Sequence, residues 1–179
     1  VLASGVVRFE GEPVAIVAAK DKDTCRQALA SIRIKYEELE PLTDPELAMD
    51  STPIHPDGNV IRIVPIRRGN LDATGEVVVE GTYEVGTQDQ AFLGPESGIA
   101  IPDGSGGVDL YVASQGIHQD HAQLAPCLGL PGDAVRVHLA GVGGAFGGRE
   151  DLSVHAHACF LALHTKRPVK MSYLRDESF

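Results

Sequence analysis

Hydrophobic and polar residues along the first third of the chain follow a pattern that predicts strand, helix and strand. Residues 13–19 form a short continuous apolar run, which is typical of a strand covered on both faces. Over residues 21–31 apolar positions recur at helical spacing, and Asp23 or Thr24 is the expected N-cap of that helix. Residues 33–37 then alternate polar and apolar, so they predict a strand buried on one face.

From residue 76 onward the pattern predicts a larger, mixed arrangement of strands and helices. Turn residues interrupt the apolar pattern between Val64 and Gly75, so we place a soft domain boundary there. After the boundary the predicted strands are 76–85, 97–101, 108–114, 134–139 and 168–173, and the predicted helices are 116–128 and 151–164. Before the boundary one further short helix is predicted at 44–49. Helices and strands in this order make an α+β fold with mixed sheets.

Composition places the chain among globular proteins. Of its 179 residues, 43% are hydrophobic and 22% are charged, as expected for a folded domain. The formal net charge of −10 argues against a nucleic acid partner, because DNA-binding domains carry a basic face. No apolar run approaches the ~20 residues that a membrane-spanning helix needs, so no membrane partner is expected.

The cysteines and the chain ends add two expectations. Cys25, Cys127 and Cys159 are far apart and show neither CxxC nor Cys/His finger spacing. This argues against a disulfide scaffold, a zinc site or an iron–sulfur site within these residues, and it fits a reducing compartment, the cytoplasm. The chain begins at Val1 without a signal-like segment and stops directly after a predicted strand, so we expect an internal piece of a longer polypeptide.

Five glycines lie within the eight residues from Gly141 to Gly148, between a predicted strand and a predicted helix. We call residues 141–150 the glycine loop. Glycines let the backbone adopt positive φ and approach a ligand closely, and a helix N-terminus adds N–H donors for an anionic or oxo ligand. The loop lacks the Lys-Ser/Thr pair of a P-loop and the distant acid of a dinucleotide fingerprint. From the residues alone, it either binds a ligand or forms a tight, closely packed turn.

Three individual side chains are further candidates for a functional role. Phe146 is either a core anchor for the turn or a ring that fixes the backbone beside a cofactor. Glu150 either favours the dipole of the following helix, within its first turn, or is a buried carboxyl at a pocket floor that binds a substrate. Gln115 follows the predicted strand 108–114 and reads as a helix-start residue in contact with solvent. The seven histidines are expected to be structural or surface residues, because no third metal ligand lies suitably near any pair.

Short motifs in a fixed order run nearly from one end of the chain to the other. They are Gly11-Glu12-Pro13-Val14-Ala15, Tyr36-Glu37-Glu38-Leu39, Gly69-Asn70, Ala113-Ser114-Gln115, Leu128-Gly129-Leu130-Pro131, Gly143-Gly144-Ala145-Phe146-Gly147-Gly148-Arg149-Glu150, Arg167-Pro168-Val169-Lys170 and Arg175-Asp176-Glu177. In this order they resemble the large, molybdenum-binding subunit of the xanthine dehydrogenase/aldehyde oxidase family. The Gly-Gly-x-Phe-Gly-Gly-Lys/Arg-Glu element is the most specific of them, and residues 87–96 look closest to bacterial xanthine dehydrogenase molybdenum subunits.

The resemblance implies two domains. Residues 1–75 would be an α/β hammerhead domain truncated at its N-terminus, and residues 76–179 would be the start of a molybdopterin-binding domain.

The resemblance also implies roles for individual residues. The family's Gln after Ser/Thr contacts an oxo ligand of the molybdenum, and that position is Gln115 here. Phe146 and Gly147 would line the same centre, with Gly148 beside them as a further cofactor contact. Glu150, which closes the motif, would face a purine substrate.

The implied activity is that of a molybdenum hydroxylase, which inserts water-derived oxygen into a C–H bond of a purine or related heterocycle such as xanthine or hypoxanthine. The cofactor would be molybdenum–molybdopterin, in its cytosine dinucleotide form if the protein is bacterial. Iron–sulfur and FAD centres would lie on partner subunits or segments of an oligomeric complex. The family's catalytic base lies far downstream, so no catalytic residue is expected here and the isolated chain should be inactive.

One position departs from the family pattern. Many members carry a Glu directly after position 93, where this chain has Gly94 and an acid only at Glu96. The departure supports a non-catalytic paralogue or assembly module as an alternative. An aldehyde-oxidising member is a further alternative, because the family's discriminating residues are mostly elsewhere. A further alternative is a nucleotide-binding domain that uses the glycine loop for phosphates.

Overall fold

The structure is a computed structural model that describes residues 1–70 and 72–178. The chain divides into two units. One comprises Val1–Ile32 together with the chain from Gln88 onward, and the other is Arg33–Thr87. Within the described ranges, no helix is long and apolar enough to cross a bilayer.

A four-stranded sheet forms the centre of the first unit. Its strands are β1 (Ser97–Pro102), β2 (Val108–Val112), β3 (Val135–Leu139) and β4 (Val169–Ser172), in the spatial order β3-β2-β1-β4. β1 is antiparallel to both β2 and β4, whereas β2 and β3 are parallel. Four of the predicted strands are therefore confirmed, and the sheet is mixed, as expected. The parallel pair requires a crossover, which a helix supplies.

Two long helices pack against this sheet and against each other. They are α3 (Ile117–Leu128), which is the crossover from β2 to β3, and α4 (Val154–Thr165), which connects β3 to β4. α3 ends where predicted, because Gly129 takes the left-handed conformation at φ 67° that closes a helix. The largest fully buried side chains of the shared core are Leu110, Leu124, Val108, Val112, Val154 and Cys159. A 3-10 turn (Gly132–Ala134) and a short helix α5 (Arg175–Ser178) complete this part.

The two remaining helices form as the sequence predicts. α1 spans Lys22–Ser31, and its N-cap is Asp21, whose Oδ1 accepts a hydrogen bond from the Thr24 backbone N at 2.8 Å. The expected caps Asp23 and Thr24 are therefore wrong by two and three residues. α2 spans Pro45–Ala48, with Asp44 as its N-cap.

The strands predicted at 13–19, 33–37 and 76–85 do not form in the described chain. Strand propensity needs a neighbouring strand that can complete a hydrogen-bonded ladder, and none pairs with these segments in the described ranges. Apolar residues of the third segment are consequently exposed, as Val79 (89%) and Tyr83 (93%) illustrate. The prediction was wrong here because the pattern of apolar residues does not show whether a partner strand is present.

Candidate functional site

Two sequence-predicted segments leave the sheet at the same edge. Val112 and Leu139 are register partners at the carboxyl ends of the parallel strands β2 and β3, and Ala140 N donates to Val112 O at 2.9 Å just beyond them. Gln115 follows β2 by three residues, and Gly141 opens the glycine loop two residues after β3. In sheets with parallel strands, ligands bind in the crevice outside the carboxyl ends. The fold thus brings Gln115 and the glycine loop to one edge.

Gln115 lies in the turn between β2 and α3, and its side chain is exposed. The turn is held by the buried Ser114, whose Oγ accepts a hydrogen bond from Gly116 N at 2.8 Å. A fixed turn with an exposed amide offers both a hydrogen-bond donor and an acceptor at the edge of the sheet.

The tip of the glycine loop has a left-handed backbone. Phe146 has φ 52°, and it lies between Gly144 at φ 107° and Gly147 at φ 84°. For a residue with a Cβ this conformation costs about 1–2 kcal/mol. The Phe146 ring is 77% exposed, so the expectation of a core anchor is wrong. The neighbouring Ala145 is buried instead, and Gly148 N donates to its carbonyl at 2.9 Å.

The end of the loop also differs from expectation. α4 begins at Val154 rather than at residue 151, so Glu150 precedes the helix and lies in an irregular bend. Glu150 is exposed, whereas the preceding Arg149 is buried. Glu150 therefore lies outside the first helical turn in which the sequence placed it, and the described residues do not bury it. The hydrogen-bond donors nearest Phe146 are the N–H groups of the loop backbone, not those of the helix start.

A buried aromatic ring packs against the end of the glycine loop. Phe92 is 3% exposed, and a Cβ added to Gly148 would come within 2.7 Å of its Cε1 atom, so only glycine fits at that position. The Arg149 guanidinium lies over the same ring, 4.2 Å from its centroid. Arg149 Nε donates to Gly144 O at 3.1 Å, and Nη2 donates to Gly94 O.

The contacts of Gly94 do not require glycine at this position. Gly94 supplies a backbone carbonyl to the loop, and a Cβ at this glycine would meet no atom within 4 Å. The acid two residues later, Glu96, is buried, and its Oε2 accepts from Ser178 Oγ at 2.5 Å. Glu96 is thereby bonded to α5 rather than exposed at the sheet edge.

A buried acid–base pair joins the first turns of the two long helices. Asp120 of α3 and His155 of α4 are almost completely buried, with His155 Nε2 and Asp120 Oδ2 3.5 Å apart. Ser153 N donates to His155 Nδ1 at 3.1 Å, so the proton of the neutral ring is on Nε2, on the side of Asp120. Burial lowers the pKa of His155 below its ordinary value, and the nearby carboxylate only partly opposes this shift.

Phe92, Arg149, Asp120 and His155 were not assigned to the site from the sequence. A buried arginine at the end of a glycine-rich turn, or an Asp–His pair 35 residues apart, has no periodic signal. Their proximity becomes visible only when the loop and the helices are packed together.

The residues present suit a metal group that brings its own ligands. In the part of the chain that the structure describes, no cluster of three His, Cys, Asp or Glu side chains could hold a metal ion. The edge offers instead an exposed Gln115 amide and glycine backbone, and added Cβ atoms at Gly141, Gly143 and Gly147 would meet nothing within 4 Å. A molybdenum already bound by oxo groups and a pterin dithiolene needs such hydrogen-bond donors and close backbone approach.

The mixed sheet presents an exposed amide and a glycine-rich backbone beyond the carboxyl ends of its parallel strands, and comparison with protein families shows which class of domain this is. Residues 54–179 match the molybdopterin cofactor-binding domain, and residues 1–40 match the a/b hammerhead domain of aldehyde oxidase and xanthine dehydrogenase. The chain belongs to the xanthine dehydrogenase/aldehyde oxidase family of molybdenum-binding subunits. The domain matched by residues 54–179 is one that binds a molybdopterin cofactor.

Similar proteins include two bacterial enzymes and one solved structure. The chain is 39% identical to the nicotinate dehydrogenase large molybdopterin subunit of Eubacterium barkeri, over 99% of this chain and 43% of that protein. It is 33% identical to a probable xanthine dehydrogenase subunit of Bacillus subtilis, over 99% of this chain and 25% of that protein. Quinoline 2-oxidoreductase from Pseudomonas putida has a TM-score of 0.88 at 28% identity, over 99% of this chain and 24% of that one. The chain thus spans less than half the length of each.

Proposed function

We propose that the protein is part of a molybdenum hydroxylase that oxidises a carbon of an aromatic nitrogen heterocycle, a purine such as xanthine or hypoxanthine or a related ring. The observation that carries the proposal is that Gln115 and the glycine loop follow the carboxyl ends of neighbouring parallel strands in a chain that matches a molybdopterin-binding domain. The chain's similarity to a nicotinate dehydrogenase and to a probable xanthine dehydrogenase supports this substrate class.

Four residues would hold the cofactor. Gln115 would donate its amide hydrogen bond to an oxo group of the metal. Phe146, with its exposed ring, would cover one side of the centre, and Gly147 and Gly148 would let the backbone come close. When bound, the molybdenum cofactor supplies the oxidation, in which a C–H bond becomes C–OH with oxygen from water and two electrons leave.

Glu150 would bind the substrate. Its carboxyl is exposed next to the loop, where it can accept a hydrogen bond from a ring N–H or donate one, when protonated, to a ring nitrogen or oxygen. Such contacts orient the ring carbon toward the metal and stabilise charge that develops on the heterocycle. The proton-abstracting base would belong to the remainder of the enzyme.

The wider assignment follows the family. We place the hammerhead domain at residues 1–75 and the start of the molybdopterin-binding domain at 76–179. The cofactor would carry a cytosine dinucleotide if the protein is bacterial, and electrons would pass to iron–sulfur and FAD subunits of a cytoplasmic, oligomeric complex. Its partners would be these subunits and a small-molecule substrate.

The test uses the complete parent protein with its natural partner subunits, produced in a host that makes the cofactor. Molybdenum content is measured together with dye reduction driven by xanthine, hypoxanthine and nicotinate, and by aldehydes for comparison. We expect about one molybdenum per chain and turnover of at least one of these heterocycles. Molybdenum with turnover of aldehydes alone would reject the heterocycle proposal, and a protein that binds no molybdenum would reject the cofactor site itself.

A further inference from the structure

We propose that Arg149 is a positioning residue that fixes the Phe146–Gly147 turn for the molybdenum centre. This inference rests on the proposed function, because it concerns how that turn is presented to the cofactor. Arg149 follows the loop glycines directly, and it is the buried neighbour of the exposed Glu150.

The contacts of Arg149 close the loop. Its Nε donates to the carbonyl of Gly144, five residues earlier, at 3.1 Å, so one side chain spans the turn that contains Phe146. Its Nη2 donates to the carbonyl of Gly94, in the segment that leads into β1. The guanidinium therefore joins both the start of the turn and a neighbouring segment.

Phe92 supplies the platform on which Arg149 rests. The guanidinium lies 4.2 Å from the ring centroid, at a distance where a cation is attracted to the face of an aromatic ring. A second guanidinium, that of Arg175, lies 5.8 Å from the same centroid, and its Nη2 donates to Phe92 O at 2.5 Å. Gly148 packs so closely on Phe92 that a Cβ would clash, which fixes the height of the loop above the ring.

The loop needs such support because the backbone conformation at its tip is intrinsically unfavourable. Phe146 has a left-handed backbone that a residue with a Cβ disfavours, and its ring lies close to Gly144 but is 77% exposed, so little packing offsets this cost. Besides the packing of Gly148 on Phe92, two hydrogen bonds among the described residues hold the turn, one from Gly148 N to Ala145 O and one from Arg149 Nε to Gly144 O. Of the two, only Arg149 spans from the end of the turn to Gly144.

The requirement is for donors in a fixed plane more than for charge. Both hydrogen-bond acceptors of Arg149 are neutral carbonyls, and it forms no ion pair with a carboxylate among the described residues. A lysine could lie over Phe92 and donate to one carbonyl, whereas a methionine would retain the length and lose every donor. These two substitutions therefore separate the hydrogen bonds from the packing.

The experiment compares Arg149→Met and Arg149→Lys in the complete enzyme with its partner subunits. For Arg149→Met we expect near wild-type molybdenum content, a kcat at least about tenfold lower and an altered EPR signal of the dithionite-reduced molybdenum. Arg149→Lys should retain more activity than Arg149→Met. The control is Arg136→Met, which removes an exposed arginine of β3 and should leave kcat and the EPR signal unchanged.

Hydrogen exchange gives a readout that does not depend on the cofactor. Peptides covering residues 141–150 should exchange faster in Arg149→Met than in wild type, while peptides of α4 beyond its first turn should not. If the wild-type protein binds no molybdenum, the proposed function fails, and the exchange data still decide whether Arg149 holds the turn. Unchanged exchange in the loop, or wild-type kcat and EPR signal in Arg149→Met, would overturn the inference.

Discussion

Neighbouring residues of the glycine loop have opposite environments. Arg149 is buried against Phe92, whereas Phe146 and Glu150 are exposed on either side of it. A buried cation that donates to backbone carbonyls shapes the loop, and exposed side chains remain free to meet a cofactor or a substrate. With the proposed roles of Phe146 and Glu150, one short segment would serve both structure and binding.

Replacement of Glu150 by Ala in the complete enzyme should lower heterocycle turnover at least about tenfold with little change in molybdenum content. The physical reason is that Glu150 is exposed and makes no core contact, so its loss removes a substrate contact rather than packing. Steady-state kinetics and metal analysis on the same preparation measure both effects. Glu150→Gln, which keeps hydrogen bonding without the charge, is the matched control. Unchanged turnover in Glu150→Ala would rule out the substrate role.

At the scale of elements, the site depends on how α3 and α4 begin. Each helix follows a segment that leaves the carboxyl end of a parallel strand, and the buried Asp120–His155 pair joins their first turns. Each side chain has one buried polar atom, His155 Nε2 and Asp120 Oδ2, that makes no well-formed hydrogen bond within the described chain. Protonation of this pair changes stability, because a charged group buried away from water costs free energy.

We expect stability to fall when the pH is lowered below about 6.5. Burial lowers the pKa of His155 in the folded protein, so between that lowered value and the ordinary one the unfolded chain binds more protons. The free energy of unfolding therefore rises with pH across this window, by at most about 1.4 kcal/mol per pH unit for one group, and is level above it. Denaturant unfolding at a series of pH values measures the slope. His155→Gln should flatten it, and equal slopes in the two proteins would contradict the assignment.

The core of the sheet should be sensitive to truncation. Leu110 in β2 is fully buried, so Leu110→Ala should cost about 2–5 kcal/mol of unfolding free energy. The matched control is Leu47→Ala in α2, where the side chain is 65% exposed and the cost should stay within about 0.5 kcal/mol. Chemical denaturation of the two variants measures the difference. Equal losses would show that burial in this core has been misjudged.

At the scale of the whole molecule, the unit Arg33–Thr87 buries little of its apolar surface. Exposed large apolar residues of this unit include Ile61, Ile63, Ile66, Val77, Val79, Tyr83 and Val85. Single exposed apolar residues are ordinary in proteins, but a run of them is typical of surface that another element or chain covers.

The 179-residue chain produced by itself should therefore bind the hydrophobic dye ANS strongly. The expected fluorescence arises from the exposed apolar run, so the triple substitution Ile61→Thr, Ile66→Thr and Val79→Thr should reduce it markedly. Fluorescence titration of both chains at equal concentration measures the difference. Dye binding that the triple substitution leaves unchanged would locate the apolar surface elsewhere in the chain.

Much of the fold was predictable from local pattern. The four strands and the two long helices from residue 97 onward, and the glycine that ends α3, follow from periodicity and turn chemistry that act within a few residues, whereas α5 was not predicted. The strands expected at 13–19, 33–37 and 76–85 failed, because a ladder depends on a distant partner that no local pattern reveals. Gln115 and the glycine loop were found as motifs, and their roles at a molybdenum centre stay predictions.

The sequence by itself determined the family, the α+β class and the positions where the chain must turn, because these depend on residue type and spacing. Only the tertiary structure decided which side chain of the loop is buried. Arg149 rather than Glu150 or Phe146 packs on Phe92, a residue more than 50 positions away along the chain. Burial is a property of what the fold brings together, and contact between distant segments has no counterpart in the local order of residues.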